Sequence, residues 1–349
     1  MAYQTGTASD HEDLWNKLLA FLTTDAQLVA LNQNWEVAWL ADDSNSGNPN
    51  DTDIVLRGPG LADQDSIYVA LRRVDDVASD LSTIYMRGAT GVINSADQYH
   101  LHVNVTPNPV KMFLRPNSMD YWFVANGRRF IVVVQIGTVY ETLYAGFFLP
   151  YADPEVYTYP MFIGGSSGSG GPSEASSWSS VRDDHTAYMF SNYDSNPATG
   201  YNPSAWMLGP DGAWLRCSTN TTASNAYIGP SYFGMGLGIG AHIDRDFDSD
   251  NYGYNSVDIR QGESYGAGFA LTPFTLTQAS PQDQTFGALD GVYRITGRGQ
   301  SIENVIQADN AVHIVFQNTF RTALGNWYAV TLGPEDSNSA FISSEESNS

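Results

Sequence analysis

A chain of 349 residues with 42% hydrophobic and 13% aromatic content can bury a sizeable core, and its length predicts two domains or one large domain with extensions. Its 38 acidic residues against 16 basic ones give a net charge of −22, which argues against a general role on nucleic acid or on a membrane surface. Cys217 is the only cysteine, so there is no intrachain disulfide framework, and no stretch reads as a secretory signal or membrane span; the chain is expected in an aqueous compartment.

At the N-terminus Ser9 followed by Glu12 reads as a capping box, and Trp15, Leu18, Leu19 and Leu22 recur with helical spacing. This predicts an amphipathic helix over residues 10–22, with Asp10, Glu12 and Asp13 complementing its dipole. A second short helix is expected over 25–31, capped by Thr24 or Asp25. The first helix either packs on its own domain or docks on a neighbour, with Trp15 as an anchor; in the docking case, deleting residues 1–24 leaves a folded chain that fails to assemble.

From Trp35 the apolar period shifts toward alternation, interrupted by a polar loop over 41–53. Strands are predicted at 54–56 and 66–71, divided by the turn Gly58-Pro59-Gly60, and at 99–105, where YHLHVNV alternates strictly. On such a strand His100 and His102 would share one face, as two zinc ligands might, but no nearby residue supplies the remaining ligands and His313 is remote. Packing or polar-face histidines are the alternative.

Residues 119–165 hold the densest run of aromatic and β-branched side chains. Asn126-Gly127 between two apolar arms predicts a type I′ hairpin pairing Ala125 with Arg128, Phe123 with Phe130 and Tyr121 with Val132. Both faces of that hairpin are largely apolar, which suits a strand pair sandwiched inside a β-protein or an interface. Arg128 and Arg129 are expected at the exposed tip, either gripping a partner's carboxylates or keeping the turn soluble. The chain then returns through TVYETLYAGFFLPY and turns at Pro150, Pro154 and Pro160, making a stiff, tyrosine-lined loop. Tyr121, Trp122, Tyr140, Tyr144, Tyr151, Tyr157 and Tyr159 are the candidates for core and interface contacts, because aromatic rings give large contact area at low entropic cost.

A Gly/Ser-rich stretch over 166–180 marks an expected boundary, followed by a loop-rich β region over 181–280. Within it, Asp244, Asp246, Asp248 and Asp250 alternate as ligands of a Ca2+ ion could, although the EF-hand pattern fails at Asn251 and Val257 and a solvated acidic turn is the default reading. Strands are predicted at 291–295, 311–316 and 327–332 within a C-terminal β region over 281–333, and 334–349 form an acidic tail. With residues 1–34 as a helical segment and 35–165 as a β domain, the expected fold is mainly β: sandwich or barrel-like sheets with long loops and a short helical N-terminus. No nucleophile elbow, zinc-protease motif or phosphate loop occurs, while paired carboxylates of a glycosidase would leave no local signature.

The runs YWFVANGRR and TVYETLYAGFFLPYADPEVYTYPMFIGGS, the segment LDGVYRITGRGQSIENVIQADNAVHIVFQNTFRTALGNWYAVTL and the opening TGTASDHEDLWNKLLAFLTTDAQLVALNQNWEVAW resemble structural proteins of tailed-bacteriophage virions, of the tail or baseplate type. The resemblance covers about half of the chain and carries over no active-site residue. It implies a non-enzymatic virion component, assembled in the host cytoplasm through contacts with other virion proteins and with copies of itself, without direct nucleic-acid or membrane contact and without a cofactor beyond the Ca2+ candidate. Alternatives are a glycan-binding module of the tail, a neck, collar or capsid-associated protein, and an enzyme degrading host polysaccharide.

Overall fold

Alternation of apolar and small residues, the period of an extended chain, dominates the sequence, and the protein is accordingly mainly β. The computed structural model describes residues 1–41, 52–76, 81–95, 98–168, 205–217, 271–278, 284–295, 301–308, 310–317 and 327–334. The chain opens with β1 (Ala2–Ala8), α1 (His11–Thr24) and α2 (Ala26–Ala30). It continues through β2 (Glu36–Leu40), β3 (Thr52–Gly58), β4 (Ile67–Asp76), β5 (Leu81–Ala89) and β6 (Val110–Leu114). A second run comprises β7 (Met119–Ala125), β8 (Arg129–Ile136), β9 (Val139–Phe147), β10 (Leu149–Pro150), β11 (Met161–Gly164) and β12 (Ser167–Gly168). The remaining strands are β13 (Ala205–Leu208), β14 (Trp214–Cys217), β15 (Leu271–Gln278), β16 (Gln284–Ile295), β17 (Val305–Ala308), β18 (Ala311–Gln317) and β19 (Trp327–Pro334).

These strands form three antiparallel sheets. The seven-stranded sheet has the order β1-β7-β8-β9-β11-β13-β14 and lies in the middle. Tyr121, Phe123, Phe130, Val132 and Val134 point to one side of it, where they meet α1 and the sheet β12-β6-β5-β4-β3-β2. Trp122, Val124, Ile131 and Val133 point to the other, against the sheet β10-β16-β19-β18-β17, on which β15 pairs with β16. A middle layer must be apolar on both faces, and that is the pattern of the β7–β8 hairpin. Each fully buried large apolar side chain contributes about 1.5–3 kcal/mol, so both interfaces act as cores.

Four sequence expectations change. Residues 2–8 lie in the stretch read as helical, yet they form β1, which extends the middle sheet by pairing with β7 from Ala2↔Ala125 to Ala8↔Met119. The cap of α1 is Asp10, whose carboxylate accepts from the Asp13 amide at 2.8 Å, rather than Ser9, whose own amide donates to Asp13. Residues 99–105 are not a strand; they run as turns and bends with an isolated Gly91↔Val103 bridge in place of a ladder, because Tyr99 is tied to Asp53 and tucked between two arginines. The boundary expected at 166–180 does not divide the fold: β11 and β13, on either side of it, are neighbours in the middle sheet.

Candidate functional site

The Asn126-Gly127 turn is present, with a register two residues from the expected one. Ala125 pairs with Phe130, Phe123 with Val132 and Tyr121 with Val134. A shift of two keeps every side chain on its predicted face. Neither Asn126 nor Gly127 has a positive φ, so the turn is not type I′. The Asn126 side-chain oxygen instead accepts from the amides of Arg128 (2.8 Å) and Arg129 (3.0 Å), which frees its backbone carbonyl for Trp35 Nε1 at 2.9 Å. The Gly60 amide donates to the Gly127 carbonyl at 2.8 Å, locking the turn beneath the loop that follows β3.

The tip is therefore covered, and Arg129 is not exposed. Its guanidinium is buried, with Nε 2.9 Å from an Asp290 oxygen, joining the middle sheet to β16. Arg128 is half-buried with its guanidinium over the Phe147 ring at 5.8 Å. Arg129 is therefore not placed to grip a partner's carboxylates.

Most aromatic candidates belong to the cores. Trp15, Tyr121, Trp122, Tyr140, Tyr144 and Tyr157 are buried, and Tyr159 is half-buried against Phe147. Burial raises the phenols of Tyr144, Tyr159 and Tyr328 above their ordinary range; for Tyr140 burial and then a 2.6 Å hydrogen bond to Glu303 do the same. All four remain protonated donors at neutral pH, consistent with structural hydrogen bonding.

The histidine pair does not share a strand face. His102 is buried edge-on to Trp39, and its Nδ1 accepts from the Ile93 amide at 3.2 Å. Burial and then the neighbouring His100 lower its pKa, which keeps the ring neutral. His100 packs edge-on to Tyr99. Among the described residues no group of three or more His, Cys, Asp or Glu is placed to hold a metal, and Asp244, Asp246, Asp248 and Asp250 lie outside them.

Tyr151 is different. Residues 151–156 are exposed without a break, with Tyr151 61% and Val156 67% accessible, and Leu149 at their base is exposed too. The loop is nevertheless held at several points. β10 pairs with β16, the Tyr151 amide donates to Phe286 O at 2.9 Å, and the amides of Val156 and Tyr157 both donate to Asp153 O at 2.9 Å. Asp153 Oδ1 accepts from the Glu155 amide at 2.9 Å, closing a side-chain-capped turn. Tyr157 points inward, packs on Phe148 and Phe286, and donates its hydroxyl to Leu208 O. The result is a rigid projection carrying Tyr151, Val156 and two exposed carboxylates, Asp153 and Glu155. Sequence reasoning found the proline-bounded loop and Tyr151 but missed Leu149 and Val156; the Asp153-Pro154 turn signal could have flagged them as lying on a projecting turn.

Most of the described basic side chains are paired or buried instead. Arg72 grips Asp53 with Nε–Oδ1 2.5 Å and Nη2–Oδ2 2.7 Å, Arg73 pairs with Asp75, Arg57 with Glu36, and Lys17 with Asp13. Arg87 donates to the carbonyls of Thr106 and Pro107, and Lys111 is buried over Tyr85. Among the described basic residues only Arg115 is exposed. Compared with known proteins, the sequence matches no protein family and no curated protein.

Proposed function

We propose that the protein is a non-enzymatic structural component of a tailed-phage virion, in the tail or baseplate, and that it works through protein–protein contacts with other virion proteins and with copies of itself. The observation that supports this best is the projection at residues 149–156, which holds Tyr151 and Val156 in water on a frame hydrogen-bonded to β16. Exposed apolar side chains on a preordered loop suit docking, because little conformational entropy remains to be lost on contact. The three-layer body behind it gives a stiff mount, and the sequence resemblance supplies the particle. Quantitative mass spectrometry of purified particles, with and without the gene, tests the reading. A fixed copy number in wild-type particles and loss of tail or baseplate in its absence are expected; complete, infectious particles without the protein would reject it.

A further inference from the structure

We infer that the 149–156 projection inserts into an apolar pocket rimmed by arginine or lysine on a different protein, not on a second copy of this chain. The inference rests on the assembly reading and adds the chemistry of the partner. Tyr151 and Val156 present apolar surface, and the exposed carboxylates of Asp153 and Glu155 lie between them in sequence. No basic residue occurs in the loop. An occupant that covers the apolar groups must therefore meet two acids, and an uncompensated carboxylate at a contact is costly.

A second copy is poorly equipped to meet them. Among its described basic side chains only Arg115 is exposed and most others are already paired with Asp53, Asp75, Asp290, Glu36, Asp13 or backbone carbonyls, while Asp63, Asp120, Asp211 and Glu303 are exposed. With a net charge of −22, two copies meeting at this loop would oppose acid to acid. Asp153 has a further task, since Oδ1 closes the turn that presents Val156. An asparagine there keeps that acceptor and removes the charge, which allows the two roles to be separated.

The test uses the full chain and immobilised synthetic peptides in three matched sets, with leucine alternating with arginine, glutamate or serine. Wild type is compared with a Tyr151→Ser/Val156→Ser variant, which keeps the charge, and an Asp153→Asn/Glu155→Gln variant, which keeps the apolar groups. All four side chains are exposed, so both variants should melt with the wild type. Wild type should be retained on the leucine–arginine set alone, each variant about tenfold more weakly, and only the amide variant should lose the salt dependence. Equal retention of wild type and the serine variant would overturn the proposal, as would wild-type retention on the glutamate or serine sets. So would a dimer in light scattering that the serine variant abolishes, or retention on a glycan panel that it removes. Failure here alongside a fixed copy number in particles rejects only the docking chemistry; absence from particles rejects the assembly reading.

Discussion

Gly127 is required by space rather than by backbone angle. An added Cβ would stand 1.7 Å from the Gly60 carbonyl oxygen, in the close approach that carries the Gly60–Gly127 hydrogen bond. Gly137, at the far end of the same hairpin system, is the converse: its φ is +64° and nothing lies within 4 Å. Gly127→Ala should therefore cost about 3 kcal/mol through overpacking and Gly137→Ala about 1 kcal/mol through strain, read from urea unfolding midpoints. The reverse order would sink this account. Arg129 and Asp290 make a second contrast. Asp290→Ala leaves a buried guanidinium uncompensated and should cost about 3 kcal/mol, whereas Arg129→Met removes the charge with the donor and should cost less. The Asn126-Gly127 pair was legible as a turn, but its register was not, because the Asn126 side chain and the amide of Gly60, a residue 67 positions before Gly127, decide it.

At the scale of elements, the N-terminal helix belongs to its own fold. Leu14, Trp15, Leu18, Phe21 and Leu22 are buried, and Phe21 meets Phe123 with ring centroids 5.8 Å apart. Deleting residues 1–24 would strip β1 from the middle sheet and α1 from its face, so we expect an unfolded or aggregating chain, checked by circular dichroism, rather than a folded one that fails to assemble. The α1 cap carries a pH signature. Backbone hydrogen bonding to Asp13 is the main cause that holds the Asp10 pKa below its ordinary value, so its stabilisation is present above the usual aspartate range and is lost as pH falls through the depressed value. Asp10→Ala should cost about 1 kcal/mol at neutral pH, while Asp10→Asn should keep most of the cap and flatten that acid limb in denaturation curves. In the docking loop, Tyr157→Phe removes the hydroxyl that holds Leu208 O, and amide exchange at Val156 and Tyr157 should quicken. Unchanged exchange would mean that the Asp153 turn suffices alone.

Across the whole molecule, the apolar layers and the Arg72–Asp53, Arg73–Asp75 and Arg129–Asp290 pairs are largely internal, and the exposed charges among the described residues are mostly acids. Self-repulsion at low ionic strength follows from that arrangement, so light scattering should show monomers at low salt and a defined oligomer once salt screens the surface. The serine variant of the docking loop should leave that oligomer unchanged. A persistent monomer at high salt would mean that assembly depends entirely on other proteins.

The residue pattern alone determined the β class, the position of the helices, the strands at 54–56, 66–71, 291–295, 311–316 and 327–332, and the two apolar faces of the central hairpin. Those features are local, since alternation and helical spacing are written within a few neighbouring residues. Tertiary structure decided that β1 joins the middle sheet, that Arg129 turns inward to Asp290, that residues 99–105 fold back around Asp53, and that Tyr151 alone among the aromatic candidates is left in water. Each of these depends on a partner distant in sequence. Which tyrosine is buried is set by the layer that arrives to cover it, and alternation says only which face it is on.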